Sequence, residues 1–207
     1  MAAAYKLTYF NVTGLGEPVR LILSYGNIDF EDIRITFDDN WPSIKPTLPI
    51  PYGQLPIFEH AGKIAHQSLA ICRYAAKQAK LVGSNDWEDL EIDAAADTIN
   101  DFRLKFVDYY YEKDPKVKEP RKATLYKEML PFYIEKFEKQ IEKNNGYFAI
   151  GKLTWADLYF VGLLEILNFI LGKDLTDGAP GLRGINEKVR AIPQIKAYLD
   201  KRPPTIR

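Results

Sequence analysis

Tyr9, the pair Gln67-Ser68 and the acidic series Asp93, Asp97 and Asp101 are the residues whose types and spacing suit chemistry. Tyr9 lies near the end of the alternating run Tyr5-Lys-Leu-Thr-Tyr-Phe10. A phenol at a strand end can donate to a thiolate, and bonding to the charged form lowers a thiol's pKa from about 8.5, which raises the nucleophile's population at neutral pH. An aromatic that merely packs at the strand end fits the pattern as well. Gln67-Ser68 opens a helical pattern through Leu69, Ile71, Tyr74 and Ala75. Ser68 stands at the N-cap position, and a helix start offers free N–H groups and a dipole to an anion. Asp93, Asp97 and Asp101 recur every fourth residue on one helical face. Like charges at that spacing repel, so the stripe calls for Lys105, a cation from the N-terminal domain, a divalent ion or a ligand amine near a subunit interface. A solvated acidic face is the plainer alternative.

Other candidates exclude more than they offer. Cys72 is the single cysteine, which rules out an intrachain disulfide or a Cys-rich metal site. Its apolar helical surroundings read as inert core. His60 and His66 are too few for a metal site without acidic partners at ligand spacing, and no metal requirement is expected. Tyr9-Phe-Asn-Val12 occupies the place where redox members of thioredoxin-like folds carry CxxC, so disulfide exchange is excluded.

The elements that must position these residues follow from punctuation and period. Tyr5 to Phe10 reads as a strand, and the loop from Asn11 to Gly16 contains two glycines. Pro18 suits the first turn of a helix that Gly26 ends. Ile33, Ile35 and Phe37 alternate as a second strand. Four prolines between Trp41 and Tyr52 predict an irregular loop, a common home for function. Leu55 to Glu59, the turn Ala61-Gly62, and Lys63 to Ala65 read as a hairpin. Pro56 cannot donate to a ladder, so it requires an edge position or a tight cis turn, leaving the Leu55 backbone for a ligand. The order is βαβ then ββα, a thioredoxin-like mixed domain over residues 1–80.

Residues 81–87 read as a linker and residues 88–207 as an all-helical domain. Helical stretches are expected over Trp87–Tyr111, Thr124–Lys143, Leu158–Leu171, Asn186–Ala191 and Gln194–Arg202. Thr154-Trp-Ala-Asp157 forms a capping box before the apolar third stretch, and its role is structural. Lys plus Arg number 28, as do Asp plus Glu, so nucleic acid and anionic membrane are not expected as partners. No apolar run approaches the ~20 residues of a membrane span, and the first residues lack a signal-peptide pattern. A cytoplasmic location is expected.

Taken together, YKLTYFNVTGLGEP, Trp41-Pro42, QLPIFE, HQSLAICRY, DTINDFRLK and LTWADLYF resemble the cytosolic glutathione transferases, the sigma class above all. The resemblance covers nearly the whole chain. It implies a homodimer that takes glutathione as co-substrate and adds its thiolate to small hydrophobic electrophiles. These include lipid aldehydes and xenobiotics, with peroxides as a further class. Tyr9 matches the catalytic tyrosine. Trp41, Lys45 and Gln54 match residues that hold the glycyl end, with Gly53 and Pro56 in the same set. Leu55 matches the residue whose backbone pairs with the cysteinyl part, Gln67 and Ser68 the γ-glutamyl carboxylate site, and Asp101 an acid reaching across the dimer. An electrophile pocket is expected from Phe10, Leu15, Phe106, Tyr159 and the C-terminal helices. Leu15 stands where vertebrate prostaglandin D synthases of the class carry arginine, and Asp108 where they carry tryptophan. Ile50-Pro-Tyr52 lengthens the loop before Gly53. The competing expectation is a non-catalytic crystallin-like protein or hydrophobic-ligand carrier of the same fold.

Overall fold

The computed structural model describes residues 4–36 and 41–205. Strand β1, Tyr5–Phe10, is central. It pairs in parallel with β2, Phe30–Ile35, through the crossover helix α1, Glu17–Tyr25. It pairs antiparallel with β3, Ile57–His60, which in turn pairs antiparallel with β4, Lys63–His66. The sheet order is therefore β2-β1-β3-β4. Phe37, expected to continue β2, lies outside the described residues.

Ala61 and Gly62 turn the β3–β4 hairpin at φ 50° and 74°. The Leu55–Pro56 bond is cis, the form the sequence offered as one of two readings, and Leu55 lies outside the ladder. The proline-rich segment is not wholly irregular. Trp41–Ile44 forms a short helix, α2, followed by a 3₁₀ turn over Lys45–Thr47. Helix α3, Ser68–Gln78, packs its Ile71, Cys72, Ala75 and Ala76 inward. Cys72 is fully buried, and desolvation drives its thiol far up, as expected of an inert core cysteine.

Helix α4, Asp86–Tyr110, starts within the expected linker because Asn85 caps it, its side chain accepting from the N–H groups of Trp87 and Glu88. Its buried residues Ile92, Ala95, Ala96, Ile99, Phe102 and Phe106 form one helical stripe. Helix α5, Pro115–Thr124, was not foreseen. It buries no residue and contains Pro120, so it has no apolar period to read. A π turn over Leu125–Met129 joins it to α6, Leu130–Lys143.

The helical half is organised around α7, Trp155–Leu171, most of whose residues are buried. The Asp157 carboxylate accepts from the Thr154 N–H at 2.8 Å, as the capping motif predicted, and also from the Phe148 N–H at 2.9 Å and the Thr154 hydroxyl at 3.1 Å. Helix α8 runs Pro180–Arg190, longer than expected because two glycines hide its first turn, and α9 runs Pro193–Lys201. The close approach of α1 to α7 rests on Gly162. A Cβ there would stand 2.6 Å from the Pro18 nitrogen, so no other residue lets the two helices meet.

Candidate functional site

Tyr9 sits at the C-terminal end of β1, 8% exposed, beneath the turn that leads into α1. Its hydroxyl oxygen accepts the Leu15 N–H at 3.1 Å, which leaves the phenolic proton to donate elsewhere. Two glycines make this possible, and sequence reasoning noted them only as loop residues. A Cβ on Gly14, which has φ 39°, would lie 2.8 Å from the Tyr9 hydroxyl. One on Gly16 would lie 2.5 Å from the ring. Burial lifts the Tyr9 phenol above its ordinary value; the Leu15 N–H, Arg103 and Arg20 pull it down, and Tyr111 raises it further. At neutral pH the group is therefore a neutral donor and not a base.

Leu15 and Phe10, beside Tyr9, help line a cavity of about 570 Å³ between the sheet edge and α4. Its other walls are Trp41, Gly53, Gln54, Leu55, Gln67, Ser68 and Leu69, with Asn100, Arg103 and Leu104 from α4. Most of the residues singled out in the sequence thus come together. Phe10 and Trp41 meet edge to face with centroids 4.8 Å apart. The Lys45 side chain runs over Gly53, where an added Cβ would lie 3.1 Å from its Cε. Pro56 lines a small adjoining recess with Tyr52, Gln54, His66 and Ser68. The Leu55 backbone makes no hydrogen bond to any described residue.

The start of α3 differs from expectation in register. Gln67 is the N-cap and Ser68 the first helical residue, and no side chain caps the helix. Gln67 is held at φ 71°, ψ 109°, a region non-glycine residues visit rarely. Such strain is retained where surroundings impose it, commonly at functional sites. Ser68 is nearly buried while Gln67 is exposed, and both line the cavity at the uncapped start of the helix.

Phe106 and Tyr159 do not reach the cavity, a correction to the expected electrophile pocket. Both are fully buried. Phe106 shares the inward stripe of α4 with Phe102, their rings 5.0 Å apart. Tyr159 faces α4 and donates to Asn100 Oδ1 at 3.1 Å. That same oxygen accepts from Arg103 Nε at 2.9 Å, so Asn100 orients the cleft's own guanidinium. Sequence reasoning passed over Asn100 and Arg103; the signal was the i, i+3, i+4 face beside the acidic stripe.

The stripe itself is met by Arg73 of α3. Its Nε lies 2.7 Å from Asp93 and its Nη2 3.8 Å from Asp97, with the guanidinium 5.5 Å over the Trp155 ring. This is the cation from the N-terminal domain that the sequence offered among four compensations. Asp101 is exposed and its carboxylate has no partner among the described residues. Among those residues no three His, Cys, Asp or Glu side chains gather to hold a metal ion. His60 instead bonds Tyr74 at 2.6 Å and stacks on Tyr5.

A second cavity, about 590 Å³, lies between Thr13 of the loop after β1 and the C-terminal helices, bounded also by Glu165, Ile166, Asn168, Phe169, Leu199, Arg202 and the segment Pro203–Thr205. Its walls come from the C-terminal helices, where part of the electrophile pocket was expected.

Comparisons with known proteins agree on one family. The glutathione S-transferase N-terminal domain model matches residues 5–77 and the C-terminal domain model residues 100–202. Glutathione S-transferase S1 of Drosophila melanogaster is 47% identical over 202 residues, 98% of this chain and 80% of that protein. A glutathione S-transferase of Anopheles gambiae is 48% identical, covering 97% and 98%. The structure of a prostaglandin synthase D of Nilaparvata lugens superposes with a TM-score of 0.91 at 48% identity, covering 97% and 99%.

Proposed function

The chain belongs to the glutathione S-transferase family, and from that membership we propose that it transfers the glutathione thiolate to hydrophobic electrophiles through Tyr9. The observation that carries the reading is the Tyr9 hydroxyl, kept neutral by burial and already accepting from Leu15, so that its one proton is free for a thiolate. A bond of that kind favours the ionised thiol and raises the nucleophile's population.

Glutathione lies along the 570 Å³ cavity. Trp41, Lys45, Gly53 and Gln54 hold its glycyl end, the Leu55 backbone beside Pro56 pairs with the cysteinyl amide, and Gln67 and Ser68 receive the γ-glutamyl carboxylate. An uncapped helix start suits that anion. We assign Asp101 to the γ-glutamyl amine of the neighbouring subunit in a homodimer, and the unpaired carboxylate supports this. Phe10 and Leu15 line one side of the electrophile pocket, and we assign the separate cavity beside Thr13, whose apolar walls are Ile166, Phe169 and Leu199 and whose polar ones are Glu165, Asn168 and Arg202, to lipid aldehydes or aromatic compounds. Peroxides belong to the same substrate class, the location is cytoplasmic, and the division into residues 1–80 and 88–207 is part of this reading. Its support is the gap between Gln78 and Asp86.

The test is Tyr9→Phe. Conjugation of chlorodinitrobenzene or 4-hydroxynonenal should fall by about two orders of magnitude, the usual scale for one oriented donor, while glutathione affinity stays within about twofold, because the binding residues are untouched. Unchanged turnover would remove Tyr9 from the reaction. A wild-type protein that binds glutathione yet turns over nothing would make the chain a carrier or structural member of the family.

A further inference from the structure

Arg20 is fully buried, and every one of its nitrogens is used. Nε donates to Asp32 at 3.0 Å. Nη1 donates to the Val12 carbonyl at 3.0 Å and to Glu17 at 3.2 Å, and Nη2 to the Phe10 carbonyl at 3.4 Å. The two carbonyls bracket the point where the chain leaves β1 just after Tyr9. The guanidinium carbon meanwhile stands 5.9 Å from the Tyr9 ring centroid. Glu17 is gripped from the far side by Tyr198 and Arg202 of the C-terminal segment at 3.2 and 2.6 Å.

Burying a cation with two carboxylates is weak evidence for stability, because desolvation offsets most of the attraction. The arrangement is better explained by what it holds. A planar fork can bind two carbonyls and two carboxylates in fixed directions; an ammonium cannot. We propose that Arg20 is a positioning residue for the transferase reaction, its guanidinium clamping the carbonyls of Phe10 and Val12 and backing the Tyr9 ring so that the phenol stays aimed at the thiol. This rests on the role of Tyr9 proposed above. The charged or titratable groups facing Tyr9 are Arg20 from α1, Arg103 from α4 and Tyr111 just past the end of α4; those facing Arg20 are Glu17, Asp32 and Tyr198.

Arg20→Lys decides the matter, since it keeps a buried positive charge and loses the fork; Arg20→Met removes both. The readouts are thiolate absorbance of enzyme-bound glutathione against pH, kcat/KM against pH, and the tyrosinate titration of each variant with and without Tyr9→Phe. Arg20→Lys should hold about threefold less thiolate at mildly acidic pH, with kcat/KM falling in step and recovering at alkaline pH, and with glutathione affinity unchanged. Arg20→Met, where it folds, should shift the same profiles further and raise the Tyr9 titration. A wild-type pH profile in Arg20→Lys overturns the proposal, and so does a loss of rate equal at every pH, which is the mark of a purely structural residue. Tyr9→Phe separates the two claims. If it is fully active the transferase role of Tyr9 fails; if it is crippled while Arg20→Lys matches wild type, only the Arg20 proposal fails.

Discussion

Gly16 lies so close to the Tyr9 ring that its missing side chain is a condition of the site. Its Cβ would stand 2.5 Å from one ring carbon and 2.8 Å from another, and Phe10 and Arg20 stand against the ring at 5.7 and 5.9 Å. Gly16→Ala should therefore displace the phenol and lower turnover at least tenfold while the protein stays folded, checked by kcat/KM beside circular dichroism. Ser68 makes a separable contribution. If its N–H and hydroxyl receive a carboxylate, Ser68→Ala removes one hydrogen bond to a charged group, worth about 1.5 kcal/mol or more. The KM for glutathione should rise roughly tenfold with kcat little changed, and isothermal titration of glutathione gives the same answer without the chemistry.

At the scale of elements, the start of α7 holds a titratable group with a readable sign. Burial pushes the Asp157 carboxyl from its ordinary 3.8 to about 6, against the pull of its donors at Phe148 and Thr154. A carboxyl whose folded pKa is raised binds its proton more tightly in the folded state. Its contribution to stability is thus full below about pH 3.8, fades as pH climbs to about 6, and is constant above that. Asp157→Asn should flatten the dependence of unfolding free energy on pH between these limits, measured by urea titration at several pH values. The capping box was legible because four residues carry the whole instruction. The same holds for β1 and for the β3–β4 hairpin, where Pro56, Ala61 and Gly62 punctuate an apolar run. Helix α5 was illegible because a surface helix without an inward stripe has no period. Phe106 and Tyr159 were misassigned to the pocket because sequence gives the helical spacing but not its phase. On α4 the inward face carries Phe102 and Phe106, and the face one step round carries Asn100, Arg103 and Leu104. The cap at α3 was one residue off for a related reason, since the strained backbone of Gln67 has no sequence signature.

The whole molecule is held together at the contact of α1 with α7 and by a chain of charges behind it. Arg202 bridges Glu17 of α1 and Glu165 of α7 at 2.6 and 2.7 Å, and Arg190 meets Glu165 at 2.8 Å. Glu17 is almost wholly buried. Arg202→Met leaves it with Arg20 and Tyr198 only, so a loss of about 2–3 kcal/mol is expected, below the usual 3–5 for an orphaned buried ion because two partners remain. Thermal and urea unfolding measure it directly.

Helix α7 is both the middle of the helical half and the shelf on which α1 rests, with Pro18 seated against Gly162. That double duty sets an order in time. A ribosome completes α3 at residue 78 and does not finish α7 until residue 171. At synthesis rates of 5–20 residues per second this is a delay of roughly 5–20 s. Throughout it, the face of α1 that includes Pro18 has no lasting cover. The newborn N-terminal half must wait with that face open, and a chaperone or a pause in translation between residues 78 and 171 would act on this interval.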